Sequence, residues 1–203
     1  MVKIKICGLK FEKDIEYLNT FSVDYMGFIM YPKSPRFVGD QLKELLSKVK
    51  KAKRVAVFVN PQYEEVKKVL DWGVDLIQLH GNESLEFAKK IGLEKIIKAF
   101  RIGSKFDLDI LKSWEASYGL LLDTFVKGIP GGTGKTFDWK IAKSAVDLGY
   151  KIFLAGGLNI ENVLSAIKEV SPYAIDIAGG LEIYPGKKDF QKIDEFFLKI
   201  KTC

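Results

Sequence analysis

Apolar, β-branched runs alternate with polar loops and amphipathic stretches along this chain, in a unit that recurs at roughly 20 to 28 residues. The runs over 3–7, 25–29, 54–59, 75–79, 95–99, 119–123, 151–155 and 174–177 predict strands. Between them, helical spacing of apolar positions predicts helices over 11–20, 40–51, 62–71, 84–91, 107–116, 138–147, 160–169 and 189–200. Local punctuation supports these borders: Asn60-Pro61 opens the third helix, and Asp138 and Asn159 are candidate N-caps.

Strict alternation of strand and helix predicts parallel strands, because each helix must carry the chain back over the sheet. Eight such units predict an α/β fold, a (β/α)8 TIM barrel formed as a single domain over residues 1–203. An open doubly wound sheet is the alternative. It would have about five or six strands and a glycine-rich turn after the first, whereas Cys7-Gly8-Leu9 holds one glycine. No Ser- or Pro-rich linker interrupts the series.

Composition narrows the function classes. Hydrophobic residues make up 47% of the chain, enough for a core, but no run approaches the ~18 apolar residues of a membrane span, and the start lacks a charged segment followed by an apolar h-region. A soluble cytoplasmic protein with no membrane partner is expected. The formal charge is +6, yet the arginines are limited to Arg36, Arg54 and Arg101, and the lysines are interspersed with Glu and Asp. That mixture predicts a solvated surface and no nucleic-acid partner. A high Lys and Glu content also fits a heat-adapted protein. Cys7 and Cys203 cannot form a disulfide framework and are expected to stay unpaired thiols.

Candidate chemistry sits at strand ends. Lys3-Ile4-Lys5-Ile6-Cys7 and Gly119-Leu120-Leu121-Leu122-Asp123 each stop on a reactive side chain, a thiol and a carboxylate suited to an acid/base pair. Leu154-Ala155-Gly156-Gly157 and Ile177-Ala178-Gly179-Gly180 end two later strands on paired glycines, whose bare backbone can bring N–H groups close to a phosphate. In a parallel barrel all strand C-termini share one mouth, so Cys7, Asn60, His80, Asp123, Asp176 and both glycine pairs map there. Blander readings stand beside these. Cys7 could be a small buried hydrophobe, Asp123 a turn cap, and Arg36 one half of a surface ion pair. Asp176 could bind a substrate hydroxyl or amine, or satisfy local backbone donors. His80, the sole histidine, reads as a structural loop residue beside Gly81. Gly134-Lys135-Thr136 is close to a nucleotide-binding P-loop, but position 129 is Ile where that pattern requires Gly. The glycines at 128, 131, 132 and 134 suggest instead a mobile loop that folds over the substrate.

Blocks in one order along the whole chain carry a resemblance. They are Lys5-Ile6-Cys7-Gly8, Gly27-Phe28 with Tyr31-Pro32-Lys33-Ser34-Pro35-Arg36, Val57-Phe58-Val59-Asn60, Gln78-Leu79-His80-Gly81, Leu122-Asp123-Thr124, Gly131-Gly132-Thr133-Gly134-Lys135-Thr136-Phe137-Asp138-Trp139, Ala155-Gly156-Gly157-Leu158-Asn159 and Pro185-Gly186-Lys187-Lys188-Asp189. Together they resemble the phosphoribosylanthranilate isomerase family. The resemblance implies an Amadori rearrangement of N-(5'-phosphoribosyl)anthranilate to 1-(o-carboxyphenylamino)-1-deoxyribulose 5-phosphate in tryptophan biosynthesis, with no cofactor and no metal. It implies Asp123 as general acid, Cys7 as general base, and Arg36 on the anthranilate carboxylate. The small phosphorylated substrate is expected on Asp176, Gly156, Gly157, Gly179 and Gly180, in a monomer or homodimer.

One departure matters: the family usually carries paired serines after its eighth strand, where this chain has Ala178-Gly179. Phosphate contacts are then expected from backbone donors in place of hydroxyls. The roles also require Asp123 to carry a proton and Cys7 to lose one, against ordinary values near 3.9 and 8.5. An apolar wall around Asp123 and a positive neighbour of Cys7 are the expected causes, and Lys5 is a candidate neighbour because strand alternation points it the same way as Cys7. Rival readings are indole-3-glycerol-phosphate synthase, which would need a catalytic lysine on an early strand, a histidine-pathway isomerase, which would need aspartate in place of Cys7, and a catalytically silent phosphate-binding scaffold.

Overall fold

A computed structural model describes residues 2–102, 106–123 and 139–201. Within them, strands β1 (Lys3–Ile6), β2 (Tyr25–Ile29), β3 (Lys53–Phe58), β4 (Leu76–Leu79), β5 (Ile96–Arg101), β6 (Gly119–Asp123), β7 (Ile152–Ala155) and β8 (Ala174–Ile177) pair in parallel and in sequence order into a closed barrel. Closure comes from β1 against β8, with Lys3 opposite Ala174 and Lys5 opposite Asp176. The predicted (β/α)8 barrel is therefore the observed architecture, and the open sheet is not.

Helices α1 (Glu12–Leu18), α2 (Leu42–Lys48), α3 (Tyr63–Asp71), α4 (Leu85–Ile91), α5 (Lys140–Asp147), α6 (Val163–Val170) and α7 (Phe190–Lys201) return the chain between strands. Their starts follow local chemistry. The Gln62 N–H donates to Glu65 Oε2 ahead of α3, and Ser84 Oγ accepts from the Phe87 N–H at α4. Asn159 caps as predicted, its Oδ1 accepting from the Glu161 and Asn162 N–H groups in the turn that leads into α6. Asp138, the other predicted cap, and the glycine loop at 128–134 lie outside the described residues, as does Cys203.

One predicted helix differs. Residues Leu108–Trp114 form a 3-10 helix where 107–116 reads as an α-helix. Leu108, Leu111 and Trp114 fall at spacing three, which matches the three-residue turn of that tighter helix, and Leu111 and Trp114 are buried by it. Asp107 opens it by accepting from the Asp109 N–H.

Two layers of core follow from strand alternation. The larger lies between barrel and helices, with Ile6, Phe28, Ile77, Leu122 and Leu154 from the strands meeting Leu42, Val66 and Phe196 from α2, α3 and α7. A smaller cluster of Tyr25, Val55, Leu76, Ile97, Leu121 and Phe153 shares strand parity with the residues of the mouth and fills the barrel interior. At the strand N-termini the Tyr25 hydroxyl bonds those of Tyr118 (2.8 Å) and Tyr173 (3.0 Å), so the lower end is plugged.

Beyond β8, a hairpin of β9 (Glu182–Tyr184) and β10 (Lys187–Lys188) folds across the mouth before α7. The buried Asp14 of α1 holds it, accepting from the Lys188 N–H and pairing with the Lys187 ammonium. On the other side of the mouth Glu83 gathers the loops after β3 and β4. It accepts from the Asn60 N–H at 2.8 Å, the Gly81 N–H at 3.0 Å and the buried Lys98 ammonium at 2.8 Å. Glu83→Ala is predicted to strip Lys98 of its charge partner and to lower the unfolding free energy by about 3–5 kcal/mol. Urea titration followed by circular dichroism checks this; an unshifted midpoint would mean that the pair carries no stability.

Candidate active site

The C-terminal strand ends surround a cavity of about 610 Å³ lined by Cys7, Arg36, Gln78, His80, Asp123 and Asp176 together with the backbone of 155–159 and 178–180. Every residue implied for catalysis or substrate binding is on its wall. Asn60 is not among them. It lies in the adjoining groove with φ +49°, and its Oδ1 accepts from the Asn82 N–H, so its role is to shape the loop.

Cys7 stands one residue past β1, its N–H bonded to the Ile177 carbonyl of β8 at 2.9 Å. Its free thiol packs on Gly27 of β2, where a Cβ would come within 2.7 Å of the sulfur. That close approach is why position 27 carries no side chain. Two residues back on the same face, Lys5 is fully buried and donates to Asp176 Oδ2 at 2.7 Å. Burial pushes the thiol above its ordinary value, the Lys5 charge and hydrogen bond pull it down, Asp176 pushes it up, and Lys188 pulls it down. The net direction is upward. Lys5 in turn is raised: burial works against its charge, but Asp176 and Cys7 outweigh it.

Arg36, from the loop after β2, reaches over Gly8 to the mouth. A Cβ on Gly8 would meet its Cδ at 2.6 Å. The guanidinium binds Glu182 of β9 through Nε (2.8 Å) and Nη2, and Glu182 is buried, so this is an ion pair built into the rim and not the surface pair of the blander reading. Burial opposes the Glu182 charge, but the Arg36 hydrogen bonds and the Lys188 charge hold the carboxyl below the usual range. Lys188 of β10 completes the group. Its ammonium donates to the carbonyls of Cys7 (2.7 Å) and Ala178 (3.1 Å) and to Glu182 Oε1 (3.1 Å), tying the end of β1 to the end of β8. Neither Glu182 nor Lys188 follows from strand alternation, because both act from a hairpin outside the repeating unit. The Pro185–Asp189 block signalled that segment only through the family resemblance.

Asp123 ends β6 with an intermediate exposure, and His80 Nε2 stands 3.5 Å from its Oδ2. The expected apolar wall is replaced on this side by an imidazole. Gln78, two residues before His80 on β4, bonds its Nδ1 at 3.1 Å. His80, in the loop directly after β4, thus lines the cavity, as its place at the mouth predicts. The signal for this was present: positions 78 and 80 share the parity of an inward-facing pair. Gln78 Oε1 and Asp176 Oδ1 are buried without a hydrogen-bond partner among the described residues, and both side chains line the cavity. Such orphans favour an arriving donor.

The glycine pairs meet where β7 and β8 end. Gly156 and Gly157 have φ +93° and +69°, turning the chain at a handedness that other residues resist. Gly180 presses on the same loop: a Cβ there would lie 2.3 Å from the Leu158 carbonyl. Gly179 is less crowded, with the nearest atom to a Cβ being Arg36 Nη2 at 3.7 Å. A short 3-10 turn, Gly179–Leu181, follows directly. Among the described residues no group of three or more His, Cys, Asp or Glu side chains is placed to hold a metal ion, and no helix is long and apolar enough to cross a membrane.

The chain is similar in sequence and fold to known proteins. The family described as "N-(5'phosphoribosyl)anthranilate (PRA) isomerase" matches residues 4–199. An N-(5'-phosphoribosyl)anthranilate isomerase of Aquifex aeolicus is 47% identical over 205 residues, covering 100% of both chains. The crystal structure of phosphoribosyl anthranilate isomerase from Thermotoga maritima aligns with a TM-score of 0.90 at 35% identity over 100% of each chain. A phosphoribosyl anthranilate isomerase in complex with reduced 1-(o-carboxyphenylamino)-1-deoxyribulose 5-phosphate aligns with a TM-score of 0.87 at 33% identity, again over 100% of each chain. On these matches the chain belongs to the N-(5'-phosphoribosyl)anthranilate isomerase family.

Proposed function

We propose that the mouth of this barrel carries out the aldose–ketose rearrangement of N-(5'-phosphoribosyl)anthranilate in tryptophan biosynthesis, with Asp123 as general acid and Cys7 as general base in one catalytic domain over 1–203, acting in the cytoplasm. The observation that carries the assignment is the convergence of a buried thiol and a carboxyl, from β1 and β6, on one cavity with a glycine-walled end.

Asp123 gives its proton to the furanose ring oxygen, the ring opens, and the anthranilate nitrogen shares the charge as an iminium. Cys7 as thiolate then removes the C2' proton, giving an enolamine that tautomerises to the ketone. His80, its Nε2 3.5 Å from Asp123 Oδ2, stands beside the acid and borders the place of the sugar ring. Arg36, already held by Glu182 through Nε and Nη2, presents the other edge of its guanidinium to the anthranilate carboxylate. Asp176 Oδ1, buried with no donor among the described residues, suits a sugar hydroxyl. The phosphate lies between the Gly156-Gly157 and Gly179-Gly180 loops, held by backbone N–H groups in place of the hydroxyls that Ala178-Gly179 lacks.

Fluorescence decay of phosphoribosylanthranilate with purified protein tests the activity. Cys7→Ser and Asp123→Asn are each predicted to lower kcat by about 10² to 10⁴-fold while leaving the circular dichroism spectrum intact, the range usual for a placed proton-transfer group. Near-normal kcat in either variant removes that residue from its role.

For the phosphate end, Gly179→Val is predicted to raise KM and to weaken competitive inhibition by inorganic phosphate. A side chain has room at position 179, whereas Gly156→Val would force a β-branched residue to φ +93° and confound binding with strain. Unchanged KM and phosphate inhibition in Gly179→Val would move the anchor elsewhere.

A further inference from the structure

Three cations surround the Cys7 thiol, and their hydrogen bonds distinguish them. Lys188, on β10, spends its three donors on three oxygens: the carbonyls of Cys7 and Ala178 and the Glu182 carboxylate. Arg36, from the loop after β2, is turned to Glu182 through Nε and Nη2. Lys5, on β1 itself, gives one hydrogen bond to an oxygen, Asp176 Oδ2 of β8, at 2.7 Å. It lies two residues before Cys7 on the same inward face, with no solvent to receive its other N–H groups.

From this placement we infer that Lys5 is a positioning residue for the reaction: clamped by Asp176, its ammonium is the fixed counter-charge that permits the Cys7 thiolate to form inside the barrel.

The inference deepens the assignment of Cys7 as base and takes its catalytic meaning from it. Burial alone makes a thiolate at this depth unfavourable, and Asp176 and Glu182 add negative charge nearby. A mobile surface lysine would not offset this, because it would be hydrated and screened. Lys5 is neither. Asp176 keeps it charged despite full burial, and the register of β1 against β8 sets Lys5 directly opposite Asp176. When Cys7 takes the C2' proton, the sulfur passes from thiolate to thiol, while Lys5 keeps its proton and Asp176 its charge. No proton travels through the pair. The blander view, that Lys5 and Asp176 only close the β1–β8 seam, predicts that an uncharged pair of similar shape leaves the thiol unchanged.

The test titrates the thiol directly and does not depend on turnover. In a Cys203→Ser background, the rate of Cys7 alkylation by iodoacetamide is measured against pH for Lys5, Lys5→Met, Lys5→Arg and the double variant Lys5→Met with Asp176→Asn. The double variant leaves no buried charge unpaired and so guards against loss of fold in Lys5→Met.

The midpoint is expected to rise by about one pH unit or more in both Met variants, slowing alkylation about tenfold at pH 7, and Lys5→Arg should return it toward that of the parent. In the parent, the 15N shift of Lys5 Nζ should show an inflection at the midpoint reported by the 13C shift of Cys7 Cβ. A midpoint that stays put or falls in the folded double variant, or a Lys5 signal blind to the thiol, overturns the inference. Failure of the base assignment is a separate result: full turnover by Cys7→Ser removes the base and leaves the titration as it was.

Discussion

The pairing of the first strand with the eighth is the constraint on which the rest of this molecule depends. It closes the barrel, and at the seam it sets Lys5 against Asp176 with one residue of β1 and one of β8 leading on to the mouth. A buried ammonium and a buried carboxylate could not be tolerated singly, since each would lose hydration worth several kcal/mol. Held at 2.7 Å they compensate each other. The same register brings the Cys7 N–H to the Ile177 carbonyl and so delivers the thiol to the cavity floor.

A second charged group secures the rim from outside the barrel. Glu182 collects Arg36 and Lys188, and Lys188 spans the carbonyls that end β1 and β8. The hairpin that supplies Glu182 and Lys188 is anchored by Asp14 on the first helix, so the start and end of the chain hold one rim in common. Arg36 is thereby held in one position at the rim, with little side-chain freedom left to lose.

Small residues decide how closely these groups approach. Gly27 gives the thiol its space, and Gly180 lets the turn after β8 rest on the Leu158 carbonyl. The two strand ends that carry glycine pairs are thus pressed together, with their backbones facing the cavity. Peptide N–H groups in a tight turn do not depend on side-chain identity, so Ala178-Gly179 leaves the backbone donors of this turn in place.

Periodicity in the sequence was sufficient for the barrel, because alternating strand and helix leaves few ways to bury both faces of eight parallel strands, and each strand border lies within two residues of its predicted place. Parity along β1 likewise brought Lys5 and Cys7 to one face, and strand-end position brought Cys7, Asp123 and the glycine pairs to one mouth. The 3-10 helix at Leu108–Trp114 was legible only as a helix of some kind, since an apolar spacing of three is compatible with both periods over so short a run. What tertiary structure alone decided are the partners at long sequence separation. Asp176 sits on Lys5, Glu182 on Arg36, Lys188 on the carbonyls of Cys7 and Ala178, and His80 beside Asp123. Local sequence carries propensity and facing, whereas the distance between two charges 171 residues apart exists only once the seam between β1 and β8 has closed.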